Sequence, residues 1–121
     1  MRIISFSKNW VNYITGKPKL DEPEFTTFRA PRKDRDWEVG ERVQVFFKNR
    51  TPQRKFLGIA EIMGKKAKDL DAYCNAETSI SILEAQEDGF ISLEGMAEAF
   101  KKMHGGKTAF NKLTLKWIER T

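Results

Sequence analysis

The stretch ITGKPKLDEPEFTTFR, running from Ile14 to Arg29, gathers lysines, a hydroxyl and a guanidinium in one short segment. Lys17, Thr27 and Arg29 are residue types that can act together on an amide or a phosphate. A threonine hydroxyl is a poor nucleophile at its own pKa, so amide cleavage needs a neighbouring base to take its proton. A lysine serves as that base only where desolvation or nearby positive charge brings its pKa toward neutrality. Arg29 supplies such charge, or holds a phosphate or carbonyl oxygen through its forked donors. The same residues also suit structure alone. Thr26 and Thr27 are good strand formers, and Lys17 is favourable near a helix C-terminus.

The elements that must position these groups are short. Arg2 to Phe6 (RIISF) is apolar and β-branched and predicts a buried strand. Ser7 is placed to cap a helix in which Trp10, Tyr13 and Ile14 share a face and which Gly16 ends. FTTFRA predicts a second strand. PRKDRDWEVGE, with proline, charge and glycine but no apolar period, predicts a loop. RVQVFFK alternates, and with KFLGIAEIM it predicts an antiparallel hairpin, Gly58 marking a bulge or bend. Lys65 to Thr78 is polar and weakly patterned and is expected to be mainly loop. Ser81 and Glu84 have capping-box spacing for a short helix through Gln86. Ser92 caps a stronger helix with Leu93, Met96, Ala97, Phe100 and Met103 on its core side, stopped by Gly105 and Gly106. FNKLTLKWIE closes the chain as a strand, with Leu113, Leu115 and Trp117 facing in. About five strands and two or three short flanking helices predict an α+β fold, a mostly antiparallel, partly closed β-barrel.

Residues 1–121 make a single domain. With one cysteine, Cys74, and one histidine, His104, neither an internal disulfide nor a zinc site is available, so no metal and no cofactor are expected. The expected setting is reducing and cytoplasmic, with no membrane association. Gly-rich phosphate loops, Cys/His clusters and nucleophile elbows are missing, which excludes most enzyme classes that announce themselves by motif. The net charge is +5 and the pI about 9.4, a balance suited to polyanions. The positive charge is clumped at 29–35, at 48–55 and at 65–68.

Trp10…Gly16-Lys17…Thr27-Phe28-Arg29, followed by Val39-Gly40-Glu41, resembles the Gly-x-Lys-x-x-Thr-x-Arg signature of ASCH domains in the PUA-like superfamily. Glu87-Asp88-Gly89-Phe90, the helix after it and the last strand are similar to that family's acidic-Gly-Phe element and closing segment. The Thr-x-Arg spacing is kept, whereas LDEPE is inserted between the lysines and Thr27. The resemblance implies a cleft that receives RNA, a nucleotide or a modified nucleoside. One branch of the family deacetylates acetylcytidine with a lysine, a threonine and a glutamate; by similarity these are Lys17 (or Lys19), Thr27 and Glu87. The leading expectation is an RNA- or nucleotide-ligand-binding domain, and the alternative is an amidohydrolase acting on an acylated pyrimidine nucleoside.

Further ligand contacts are expected from Lys19, Arg29 and Trp37, the last either stacking a base or covering the barrel end. Arg32, Lys33 and Arg35 are the residues expected to meet phosphate, although Asp34 and Asp36 among them also suit a solvated, ion-paired loop. His104, at a helix end, is expected to be a capping cation.

Overall fold

A computed structural model describes residues 1–70 and 79–121; Cys74 and the 71–78 part of the expected 65–78 loop lie outside the described residues. The chain forms β1 (Arg2–Phe6), a 3-10 turn (Lys19–Asp21), β2 (Glu24–Arg29), β3 (Arg42–Phe47), β4 (Lys55–Asp69), α1 (Ile82–Asp88), α2 (Leu93–His104) and β5 (Ala109–Arg120). The fold is α+β, with one five-stranded mixed sheet in the order β1-β3-β4-β5-β2. Only the β1–β3 pairing is parallel; β3–β4, β4–β5 and β2–β5 are antiparallel.

Alternation along the strands sets which side chains are buried. Val43 and Val45 of β3, Leu113 and Leu115 of β5 and Phe25 of β2 join Ile4, Phe6, Leu20, Trp37 and Leu57 in the main core. A second cluster lies under the helices, where Phe28 of β2 and Phe110 of β5 meet Ile80, Ala85, Met96 and Phe100. β2 therefore serves both, sending Phe25 one way and Phe28 the other. The β3–β4 ladder shifts register between Val45 and Phe46, opposite Gly58. Gly58 has φ +152°, and a Cβ there would collide with the Glu119 carbonyl oxygen, so the bulge expected at this glycine also allows the close approach of β5.

The sheet is not closed, because β1 and β2 are its two edges and pair only with β3 and β5. Side chains draw these edges together instead. The Phe6 and Phe25 rings lie edge to face with centroids 6.0 Å apart, and Arg29 Nη2 donates to the Ser5 carbonyl oxygen at 2.9 Å.

Both helices begin as their caps dictate. Ser81 and Glu84 form the reciprocal capping box, and Ser92 Oγ accepts from Gly95 N at 3.1 Å. Gly89 and Gly105 end the helices in the left-handed region, as glycine uniquely permits without strain. Two expectations are corrected. Residues 7–18 are not helical, because Asn12 Oδ1 accepts from Ile14 N and Thr15 N and Asn9 Oδ1 accepts from Leu20 N. These side chains offer the backbone an alternative to the helix ladder, and a Val11–Pro18 bridge closes the excursion. The other correction is β4, which continues through Lys65 to Asp69, paired throughout with β5. Among the described residues, no helix is long and apolar enough to cross a membrane, and no group of three or more His, Cys, Asp or Glu is placed to hold a metal ion.

Candidate functional site

β2 brings Thr27 and Arg29 to one face, two residues apart. Arg29 Nε donates to Thr27 Oγ1 at 3.1 Å, so the kept Thr-x-Arg spacing makes a local pair that also spans the gap to β1. Burial pulls the Arg29 guanidinium down to about 10, with Asp88 opposing, and it remains a cation at neutral pH.

The inserted LDEPE segment turns outward. Leu20 is fully buried and anchors it, Asp21, Pro23 and Glu24 are exposed, and the turn swings Lys19 back beneath β2. Lys19 Nζ donates to the Thr26 carbonyl at 2.9 Å and to Asp88 Oδ1 at 2.7 Å. Lys19 and Asp88 are 2% and 5% exposed, so neither is free to choose water over its partner. Asp88 is the last residue of α1, where a negative charge faces the wrong end of the helix dipole. Burial pushes its carboxyl up against the pull of Lys19, and burial likewise pushes the Lys19 amine down against the pull of Asp88. Both partners thus move toward their neutral forms.

Lys19, Thr27, Arg29 and Asp88 line a single cleft of about 120 Å³. Its walls are aromatic. Trp10 and Phe90 face each other with centroids 5.4 Å apart, and Phe90 meets Phe100 edge to face at 5.6 Å. Phe6 forms part of the floor, with Lys19 Nζ 5.1 Å and Arg29 Cζ 4.8 Å from its ring centroid. The loop 7–18 is held over α1 by Tyr13 N donating to the Gln86 carbonyl at 2.9 Å. Gly89, at φ +112°, sits so close to Trp10 that a Cβ would lie 2.6 Å from the Trp10 Cβ.

Beside the cleft, and sharing Ser5, Phe6, Ser7 and Arg29 with it, runs an open groove of about 810 Å³. Arg2, Arg32, Lys48 and Arg50 line it from the other side.

The expected site residues divide. Thr27 and Arg29 lie in the cleft, and of the two lysines it is Lys19 that lies there; Lys17 is exposed on the outer loop. Glu87 is half-buried and absent from the cleft lining, which Asp88 occupies instead. The helix phase explains this: Ala85 is buried, and Asp88, three residues on, shares its face. Trp37 is 3% exposed in the main core, too enclosed to stack a ligand. Its ring supports Arg2 and Arg32, whose Cζ atoms lie 4.3 and 5.6 Å from its centroid. Arg32 reaches the groove, whereas Lys33 and Arg35 do not line it, and Arg35 sits 3.5 Å from Glu41. Asp36 pins this loop to the sheet by accepting from Asn111 Nδ2 at 2.9 Å and pairing with Lys65 at 2.9 Å.

His104 is not a capping cation. Its ring packs edge to face on Phe100 and Phe110 and lines the cleft. Burial, with Arg29 and Lys107, holds its pKa below the usual value. Phe90 was within reach of the Gly-Phe turn, whereas the choice of Asp88 over Glu87 follows from how α1 packs. The place of Lys48 and Arg50 on the groove was signalled only by their position in a basic clump.

Comparison with family models, with curated proteins and with solved structures finds no match to this chain.

Proposed function

We propose that the protein is an ASCH-type, PUA-like domain, its barrel completed across β1 and β2 by side chains, that takes the base of a nucleotide-derived ligand or RNA into the cleft. The observation that carries this reading is the pairing of aromatic walls, Trp10, Phe90 and Phe100, with a polar floor of buried Lys19, Thr27 and Asp88 and half-buried Arg29. Flat aromatic surfaces stack bases, and fixed donors and acceptors read their edges. A cavity of about 120 Å³ is well below the roughly 300–1,000 Å³ of whole-ligand sites, so it suits one planar head group. Titration calorimetry with cytidine and acetylcytidine tests this. Binding that weakens in Phe90→Ala supports the reading, and absence of binding at millimolar concentration overturns it.

A second reading, hydrolysis of an amide on that base, is favoured by the convergence of Lys19, Thr27 and Asp88. Proton transfer from Lys19 to Asp88 leaves a neutral amine able to accept the Thr27 hydroxyl proton as the oxygen attacks the acyl carbon. The C–N bond then breaks, the proton passes to the leaving amine, and water releases the acid from the threonine ester. Arg29, already donating to Thr27 Oγ1, stabilises negative charge on that oxygen. Incubation with acetylcytidine should yield cytidine and acetate, lost in Lys19→Ala and Thr27→Val. No release at high protein concentration removes the hydrolytic reading and leaves the binding one standing.

A further inference from the structure

The groove beside the cleft has a lining of one sign. Among the described residues its lining contains Arg2, Arg29, Arg32, Lys48 and Arg50 and no Asp or Glu, in a chain whose Asp and Glu number 17. Arg2 is neutralised by Glu41, 2.6 Å from its Nε. Among the described residues Arg32 forms an ion pair only with Asp34, at 3.8 Å and exposed. Lys48 and Arg50 have no ion-pair partner among the described residues. The turn that carries them is nevertheless fixed. Lys48 N donates to the Phe6 carbonyl at 2.9 Å, and Asn49 N donates to Ser5 Oγ at 3.1 Å. Lys48 itself has φ 47°, a left-handed conformation that a lysine adopts only where the surroundings enforce it.

We propose that this groove is a phosphate subsite, with Arg29, Arg32, Lys48 and Arg50 as its cations, so that the ligand is a nucleotide whose phosphate lies in the groove while its base lies in the cleft. The inference rests on the reading of the cleft as a base site. Arg29 joins the two halves. Its Nε and Nη2 are committed to Thr27 and to Ser5, and its Nη1 carries no hydrogen bond among the described residues, leaving a donor for a phosphate oxygen. A concave wall of unpaired cations focuses its field on such a group more than scattered surface lysines do.

The test compares cytidine, cytidine 5′-monophosphate and ribose 5-phosphate at about 50 mM salt, where screening is modest. The variant is Lys48→Gln with Arg50→Gln, both exposed positions. The phosphate should tighten binding of the nucleoside by about tenfold or more. In the double variant that gain should shrink several-fold, Arg29 and Arg32 remaining, with cytidine itself bound as before. Equal affinity for nucleoside and nucleotide, or a gain undiminished by the double substitution, overturns the subsite. Ribose 5-phosphate separates the two readings. If it binds and the double variant weakens this several-fold while cytidine does not bind, the groove stands and the base site falls; if nothing binds, both fall. A short cytidine-rich RNA identifies the source of the phosphate, binding more tightly than the mononucleotide if a polynucleotide chain supplies it and no more tightly if a free nucleotide does.

Discussion

Lys19 Nζ lies 2.7 Å from Asp88 Oδ1, joining the turn before β2 to the end of α1 across 69 residues of sequence. Each partner is buried, and each is held at the cleft by an element that exists for other reasons: Leu20 anchors the turn and the Ser81 capping box starts the helix. Removing one partner leaves a buried charge with no counterion, which typically costs about 3–5 kcal/mol. Asp88→Ala should lower the unfolding free energy by about that amount, measured by urea denaturation. Lys19→Met combined with Asp88→Leu should recover much of the loss. A double variant as unstable as Asp88→Ala would contradict the burial argument.

The closeness of Gly89 and Trp10 makes a second prediction. A methyl at residue 89 meets Trp10 at 2.6 Å on a backbone at φ +112°, combining overpacking with strain, each worth about 1–3 kcal/mol. Gly89→Ala should destabilise the fold and displace the Trp10 wall, seen as a shift in tryptophan emission together with weakened ligand binding. Wild-type stability and emission would contradict the contact.

Acid should loosen the floor beneath α1. Burial alone would raise the Glu84 carboxyl, but hydrogen bonds from Lys112, Ser81 N and Lys68 override it and hold the pKa at about 2 against 4.5 for the free group. A depressed carboxylate contributes stability that is present above the unfolded pKa and lost as pH falls through the folded one. The stability gap between wild type and Glu84→Gln should therefore be largest at neutral pH and narrow from 4.5 toward 2. A gap that does not change with pH would contradict the assignment.

Lys17 and Glu87 test the choice between neighbours. Lys17 is exposed and Glu87 stands outside the cleft lining. Lys17→Ala and Glu87→Gln should each leave stability within about 0.5 kcal/mol of wild type and leave ligand affinity unchanged. Lys19→Ala should impair both. Loss of binding in Lys17→Ala would return the site to the outer loop.

The strands with a local period were legible, as where Val43 and Val45 flank Gln44, whereas the polar Lys65–Asp69 end of β4 carries no such period and is held by its pairing with β5. Ser81 and Ser92 announce helices by capping spacing. The segment from Ser7 to Gly16 reads as helix because its apolar residues fall at helical intervals, while the decisive hydrogen bonds come from the Asn9 and Asn12 side chains. Thr27 and Arg29 were legible from their spacing on a strand. Lys19 and Asp88 were not separable from Lys17 and Glu87 by spacing alone. The turn geometry and the Ala85-to-Asp88 helix phase decide between them, and both depend on what the segment packs against. The pairing of Arg29 with Ser5 across the open sheet is tertiary and carries no local signature.

If a base enters the cleft between Trp10, Phe90 and the Lys19–Asp88 pair, as proposed, amide chemical-shift mapping with cytidine reads it out residue by residue. Shifts concentrated at Thr27, Arg29, Gly89 and Phe90, with the exposed Lys17 unmoved, are the predicted result; shifts that bypass these cleft residues, or none at all, would contradict it.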